Sequence, residues 1–481
     1  MTSKQLNKEQ IAFFGLFGLI SILSMLAAMH TEFYPIAAVP IILLIAGAAA
    51  INIRFVYFFL LFLLPLSIEF EVTNSLRTDF PTEPVMGGLM LVTLAYLGYN
   101  INRIDLRFFS NPLNLLVALH YSWILVVVIN SPNQLVSWKY FLAKSWYITT
   151  FFVLTGLAIS NFKLFKKAFW VIMIPLTAMV LQTMVRHGLV GFSFEDVNTQ
   201  MWPFFRNHVT YAGMITAFLP FIFLARTWYE KGTFKRRFLN WMIILYLIAI
   251  YLSFTRACTL ALAVAAVTYF IIKWNLLRQT LVVSVIVVAI GFNYLASNHR
   301  YLALQPDYKK TVHHEDFDDH MLATFQGQDA SSMERLNMWV AGILMAPERP
   351  IFGYGPGNFY PTYKSYTVPG FHTYLSENED GLTVHNYFIL MLVEQGYIGL
   401  GIFVLLTLAI FWYGQNLYRR AGPEHKGIVM AILLCMVIIY VNLLLSDLVE
   451  TDKIGSLYFI CIALLINVSI WVKDSVKSAI E

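Results

Sequence analysis

Three residues far apart in the chain carry the clearest hints of chemistry: Arg256, Arg335 and His385. Arg256 sits in "YLSFTRACTLAL", where two apolar runs meet with almost no break. An Arg near hydrocarbon costs about 2.5–3.5 kcal/mol on insertion scales, so something must offset it. It either snorkels to the headgroups or lines a polar cavity and holds an anion. Arg335 lies in a long polar segment, and His385 opens an apolar helix. Taken singly, a loop Arg is a solvated charge and a His at a helix start is an interfacial residue. Together they say more. A guanidinium matches phosphate oxygens two at a time, and a neutral imidazole accepts a proton near pH 7. A base beside a held phosphate ester implies group transfer: the acceptor hydroxyl is deprotonated while a diphosphate leaving group is stabilised.

Other polar residues sit where the membrane would make them costly. "FFRNHVTYAG" holds Arg206, Asn207, His208 and Tyr211, and Asn386 follows His385. His208 and Tyr211 are three apart and share a helix face. These residues are candidate sugar or phosphate contacts, against the alternative of an interfacial polar–aromatic belt. Glu394 lies nine residues beyond His385, about 13 Å along a helix, and a structural hydrogen bond is the favoured reading over catalysis. "HHEDFDDH" at 313–320 is rich in ligand atoms, but its spacing matches no firm metal pattern such as HExxH, and a solvated loop is expected. No Walker loop and no GxGxxG at a strand–helix junction occurs, so neither a cofactor, a nucleotide nor a nucleic acid is expected.

The elements that must hold these residues are membrane helices. Of 481 residues, 58% are hydrophobic and 13% charged, about half the charge of a soluble domain. Fourteen apolar runs lie near 11–29, 34–51, 54–68, 84–100, 112–130, 139–159, 167–185, 208–226, 238–254, 257–273, 278–296, 385–413, 427–446 and 455–472. The expected fold is all-α: a polytopic transmembrane helical bundle of about 12–14 spans. Lys and Arg fill alternate turns, including Arg103 and Arg107, Lys163 to Lys167, Lys231 to Arg237, and Arg419 to Lys426. The opposite turns, "SIEFEVTNSLRTDFPTE" and "SDLVETDK", are mostly acidic. That bias puts both termini inside and the three candidate residues outside. The net charge of +5 needs no other cause than these inner turns. The three cysteines fall in apolar runs and indicate no disulfide framework.

The organisation reads as membrane spans over 1–200, spans carrying Arg256 over 201–296, a large outer loop over 297–384, and spans carrying His385 over 385–481. A loop that long is functional or disordered. Within it, "SSMERLNMWVAGILMAPERP" reads as an amphipathic helix with Met333, Leu336, Met338, Val340 and Leu344 on its apolar face, ended by Pro347 and Pro350. "GYGPGNF" then reads as a tight turn.

Four stretches together resemble one family. "SFTRACTLAL" resembles a span-opening motif, and "ERLNMWVAGILMAPERPIFGYGPGNF" a loop motif with Arg and Trp before a Gly-rich turn. "VHNYFILMLVEQGYIGLG" resembles a His-Asn helix with E-x-G-x-x-G, and "RNHVTYAG" is a looser match. The ordered set, over roughly residues 200–415, resembles the O-antigen ligase and polymerase superfamily of polytopic bacterial membrane glycosyltransferases. The resemblance implies a helical fold related to the C-type glycosyltransferases, set in the bacterial inner membrane with a periplasmic active site. It also implies an undecaprenyl-diphosphate-linked glycan donor, a lipid A–core or glycan acceptor, and no metal or nucleotide requirement. Arg256 and Arg335 would bind the donor diphosphate, and His385 would activate the acceptor hydroxyl. A ligase is the first expectation and a chain polymerase the second. A lipid-linked sugar transporter is third, since no inverted repeat is visible.

Overall fold

An apolar run in hydrocarbon satisfies its own backbone only as a helix or a closed barrel, and this chain chooses helices. The computed structural model of the protein describes residues 8–31, 36, 38–73, 76–100, 105–305, 330–371 and 383–480. Its principal helices begin with α1 (Lys8–Thr31), α2 (Val39–Leu63), α3 (Thr82–Tyr99), α4 (Pro112–Ile129) and α5 (Gln134–Tyr147). Next come α6 (Phe162–Leu189), α7 (His208–Arg226), α8 (Phe234–Leu252), α9 (Arg256–Lys273) and α10 (Leu277–Ala296). The last four are α11 (Ala330–Met345), α12 (Tyr387–Arg420), α13 (Pro423–Leu443) and α14 (Asp452–Ile480). Among the described residues, ten helices are long and apolar enough to cross a membrane. The protein is an all-α polytopic membrane protein.

The runs at 34–51 and 54–68 fall within α2, but the chain is not straight there. Asn52 leaves the helical region (φ −150°, ψ 83°), and its side chain accepts the Phe55 N–H at 3.0 Å, as a helix N-cap does. The hairpin that follows pairs Ile68 with Phe80, so the end of α2 and the start of α3 are neighbours. A straight α2 would carry Ile45 roughly 20 Å beyond the level of Gly88, at about 1.5 Å per residue. Instead a Cβ at Gly88 would lie 2.8 Å from Ile45 Cγ2. The chain therefore folds back at Asn52, and two segments exist where the sequence divides them, each shorter than a full span.

The acidic turn after α2 is more ordered than its composition suggests. It forms an antiparallel hairpin, β1 (Ile68–Thr73) and β2 (Leu76–Phe80). The alternation in "IEFEVT" is a strand period that outweighs the charge.

Burial is uneven. Helices α7, α13 and α14 are buried over most of their apolar windows, whereas α10 buries none of its own. Helix α13 packs on both α7 and α9. Core side chains such as Met436, Ile438 and Leu465 are wholly enclosed. The amphipathic helix of the outer loop appears as α11, followed by a 3-10 turn at Ala346–Glu348 where Pro347 removes a donor. Its buried face differs from the expected one: Met338, Val340, Ala341 and Met345 point inward, while Leu344 is exposed. Segment 313–320 lies outside the described residues.

Candidate functional site

Three helix starts and one helix end meet at one end of the bundle. Asn386 caps α12: its Oδ1 accepts the Phe388 and Ile389 N–H groups at 3.0 and 3.2 Å. Its Nδ2 donates to the Leu444 carbonyl, just past α13, at 3.1 Å. Asn207 caps α7 in a reciprocal box with Thr210. The Thr255 hydroxyl, immediately before α9, donates to the His208 carbonyl at 3.4 Å. One turn into α9, Cys258 Sγ donates to Asn442 Oδ1 on α13 at 3.4 Å. Arg256, the first residue of α9, is therefore carried to the end of α13 where Asn386 also docks. Phe254 reaches this junction with φ 53°, its ring against His187 and Phe194.

His385 precedes the cap of α12 in a left-handed backbone conformation, φ 49°. A non-Gly residue is held there only when its surroundings enforce it. The enforcing contacts are on both flanks. The His385 N–H donates to Thr383 Oγ1 at 3.4 Å, and Thr383 in turn donates to Asp447 Oδ1 at 3.1 Å. On the other side, the Tyr387 hydroxyl donates to Glu450 Oε1 at 2.6 Å. Burial, and then the positive charge of Arg335, push the imidazole down to about 4. The ring is therefore neutral at pH 7 and can accept a proton. Arg335, on α11, is near enough for its charge to act on the imidazole. Burial, and then the charge of Glu450, raise the Asp447 carboxyl above the usual carboxylate range, while Arg206 opposes them.

The Gly-rich turn is welded to an interruption in α12. Gly396 leaves helical geometry (φ 71°, ψ −175°), which frees the carbonyls before it. Val393 and Glu394 carbonyls accept the Tyr354 and Gly355 N–H groups at 2.9 Å each, and the Tyr397 N–H donates to the Pro350 carbonyl at 2.8 Å. A Cβ on Gly396 would collide with the Ile351 carbonyl. The Glu394 carboxylate accepts the Gly357 and Phe359 N–H groups at 2.9 and 3.3 Å. Asn358 ties the same turn to Ser131 and Ser137, at 3.1 Å each. Glu394 is thus a structural acceptor, and it fixes the loop that follows α11.

The remaining candidates are placed differently. Arg206 is exposed and near enough to act on Asp447. His208 pairs through Nδ1 with Asn198 Oδ1 at 2.8 Å. Tyr211 is buried, its ring against Phe205, and its hydroxyl has no hydrogen-bond partner among the described residues. The amides of Asn207 and Asn386 are occupied in capping. Sequence reasoning missed Thr383, Asp447, Glu450 and the residues that meet Glu450. The available signals were three carboxylates in the short turn "SDLVETDK" and Lys144 inside an apolar run. Among the described residues, no group of three or more His, Cys, Asp or Glu is arranged to hold a metal.

The arrangement can hold an anion beside a neutral base. A family model described as O-antigen ligase matches residues 241–404. The matched segment includes Arg256, Arg335, His385, Glu394 and the Gly-rich turn. No curated protein matches the chain.

Proposed function

We propose that this chain, a member of the O-antigen ligase and polymerase superfamily over residues 241–404, moves an undecaprenyl-diphosphate-linked glycan onto the hydroxyl of an acceptor, lipid A–core. The reaction takes place at the periplasmic face of the bacterial inner membrane, both termini being cytoplasmic. Arg256 and Arg335 bind the donor diphosphate, each with a planar fork that spans two oxygens. His385 takes the proton of the acceptor hydroxyl. That oxygen forms a bond to the anomeric carbon as the carbon's bond to the diphosphate oxygen breaks. Back-side displacement inverts the anomeric configuration. The glycosyl–diphosphate bond supplies the driving force, and Arg256 and Arg335 stabilise the charge gathering on the leaving group.

The observation that carries this reading is the neutral, half-buried imidazole of His385 within the field of Arg335. Arg206, whose charge reaches Asp447, and His208, at the start of α7, contact the sugar of donor or acceptor in this reading.

Reconstitution tests the proposal. The purified chain in liposomes receives an undecaprenyl-diphosphate-linked oligosaccharide, with lipid A–core or with further donor alone. Transfer to lipid A–core that disappears in His385→Ala is the expected result. Undiminished transfer by His385→Ala would refute the base assignment. Growth of the donor chain with no lipid A acceptor would instead identify a polymerase using the same residues.

A further inference from the structure

Beneath His385, three side chains from two helices converge on a single carboxylate. Glu450, in the turn between α13 and α14, accepts the Tyr387 hydroxyl at 2.6 Å, the Tyr140 hydroxyl at 2.9 Å and Lys144 Nζ at 2.9 and 3.0 Å. Lys144 is buried, and both it and Tyr140 come from α5, outside the segment that matches the family model.

A buried ion pair is a poor source of stability, because the desolvation of two charges offsets most of their attraction. Within a membrane, charged side chains mark function more often than scaffolding. Tyr387 is buried in the core. Its ring meets Phe403 edge-on at 5.1 Å, but a cavity of about 20 Å³ lies beside it, lined also by His120, Lys144 and Val449. The bond from its hydroxyl to Glu450 sets where the polar tip of the side chain lies. Tyr387 is two residues from His385, whose φ of 49° needs external support.

We propose that Lys144 and Glu450 are positioning residues for His385: their ion pair anchors the Tyr387 hydroxyl, and through it the left-handed backbone that aims the imidazole at the acceptor. The inference rests on His385 being the base. Neither Lys144 nor Glu450 touches substrate; Lys144 holds the carboxylate in place through their ion pair, and the carboxylate orients the first turn of α12.

The test measures transfer from an undecaprenyl-diphosphate-linked oligosaccharide by the full chain in liposomes. The variants are Tyr387→Phe, Glu450→Gln and Lys144→Met, with His385→Ala run beside them. Rates are normalised to folded protein. Tyr387→Phe removes one hydroxyl, so it carries the test if the charge variants fail to fold. The expected result is a fall in kcat of about 10- to 100-fold, the scale of a misplaced catalytic group, with the donor KM within about twofold. A purely structural role would lower the yield of folded protein and leave kcat per folded molecule unchanged. Wild-type kcat in Tyr387→Phe, or a loss expressed mainly in the donor KM, overturns the inference. Wild-type kcat in His385→Ala instead overturns the base assignment on which it rests.

Discussion

Two polar regions share one end of the bundle and carry opposite surpluses of charge. The charge of Arg335 reaches His385 and that of Arg206 reaches Asp447, while Arg256 opens α9 at the same end of the bundle. Around the β1–β2 hairpin lie Asp79, Glu83 and Asp452, with Lys453 as the cation among them. Lys453 Nζ donates to the Ser67 carbonyl and hydroxyl at 3.1 and 2.8 Å, and the Ser67 hydroxyl donates to Asp452. The turn between α13 and α14 joins the regions, with Asp447 and Glu450 on one side and Asp452 and Lys453 on the other. The acidic region relieves its surplus with a proton. Burial, and then the charge of Asp452, push the Asp79 carboxyl up to about 8. The basic region has no such outlet, since a guanidinium does not deprotonate in proteins. Only anions can balance it, whether from the chain or from a ligand. The acidic surplus stores a proton at the hairpin, whereas the basic one suits the site to an anion.

The largest effect in this contrast is expected at the base. His385→Ala should lower kcat by about 10²–10⁴-fold, the usual contribution of a general base, with donor binding retained by Arg256 and Arg335. Transfer kinetics together with donor binding to the variant check it. Next, Arg335→Lys keeps the charge but removes the fork, and should raise the donor KM by about tenfold. An unchanged KM would remove Arg335 from diphosphate binding.

The pH profile separates free enzyme from complex. His385 titrates at about 4 in the free protein, so kcat/KM should be flat from neutral pH downward and fall only as pH approaches that value. A bound diphosphate offsets the charge of Arg335, one cause of the lowering, so the fall in kcat should come at a higher pH. Coincident profiles would break this part of the comparison. Loss of the Glu394 carboxylate in Glu394→Ala strands two backbone N–H groups, a cost of about 1–3 kcal/mol each when buried, readable as a lower melting temperature in detergent.

The smallest effect is expected at the hairpin, with no loss of transfer. In the folded chain Asp79 binds its proton up to about pH 8, whereas in the unfolded chain it loses it near the ordinary value, about 3.9. Between those values the folded state binds more protons, so this group's contribution falls as pH rises through the window. Asp79→Asn, which mimics the protonated form, should flatten the decline in melting temperature between pH 5 and pH 8. A decline equal to that of the wild type would remove Asp79 as its source.

The helical class and most of the division into spans were legible, because a run of apolar residues in a bilayer has few alternatives. The break between 51 and 54 was legible too, since Asn52 and Arg54 interrupt the run. The hairpin was hidden behind its charges. In the site, Arg335 and His385 stood out because with Arg256 they make a phosphate-and-base set, and Arg256 because it is costly where it lies. Asn207 and Asn386 drew attention for the same reason, yet their amides cap helices. Thr383, Asp447, Glu450, Lys144 and Tyr387 were not singled out.

By itself the sequence determined which residue types the membrane would tolerate only for a reason: two guanidiniums, one imidazole, one deep carboxylate and a run of glycines. Tertiary structure alone decided which of them meet. Glu394 became an acceptor for the Gly-rich turn only because α12 unwinds at Gly396 against that turn. His385 acquired its strained backbone only because Asp447 and Glu450, more than sixty positions away, close on both of its flanks. Distances along the chain carry no information about such closures; they follow from how the helix ends pack.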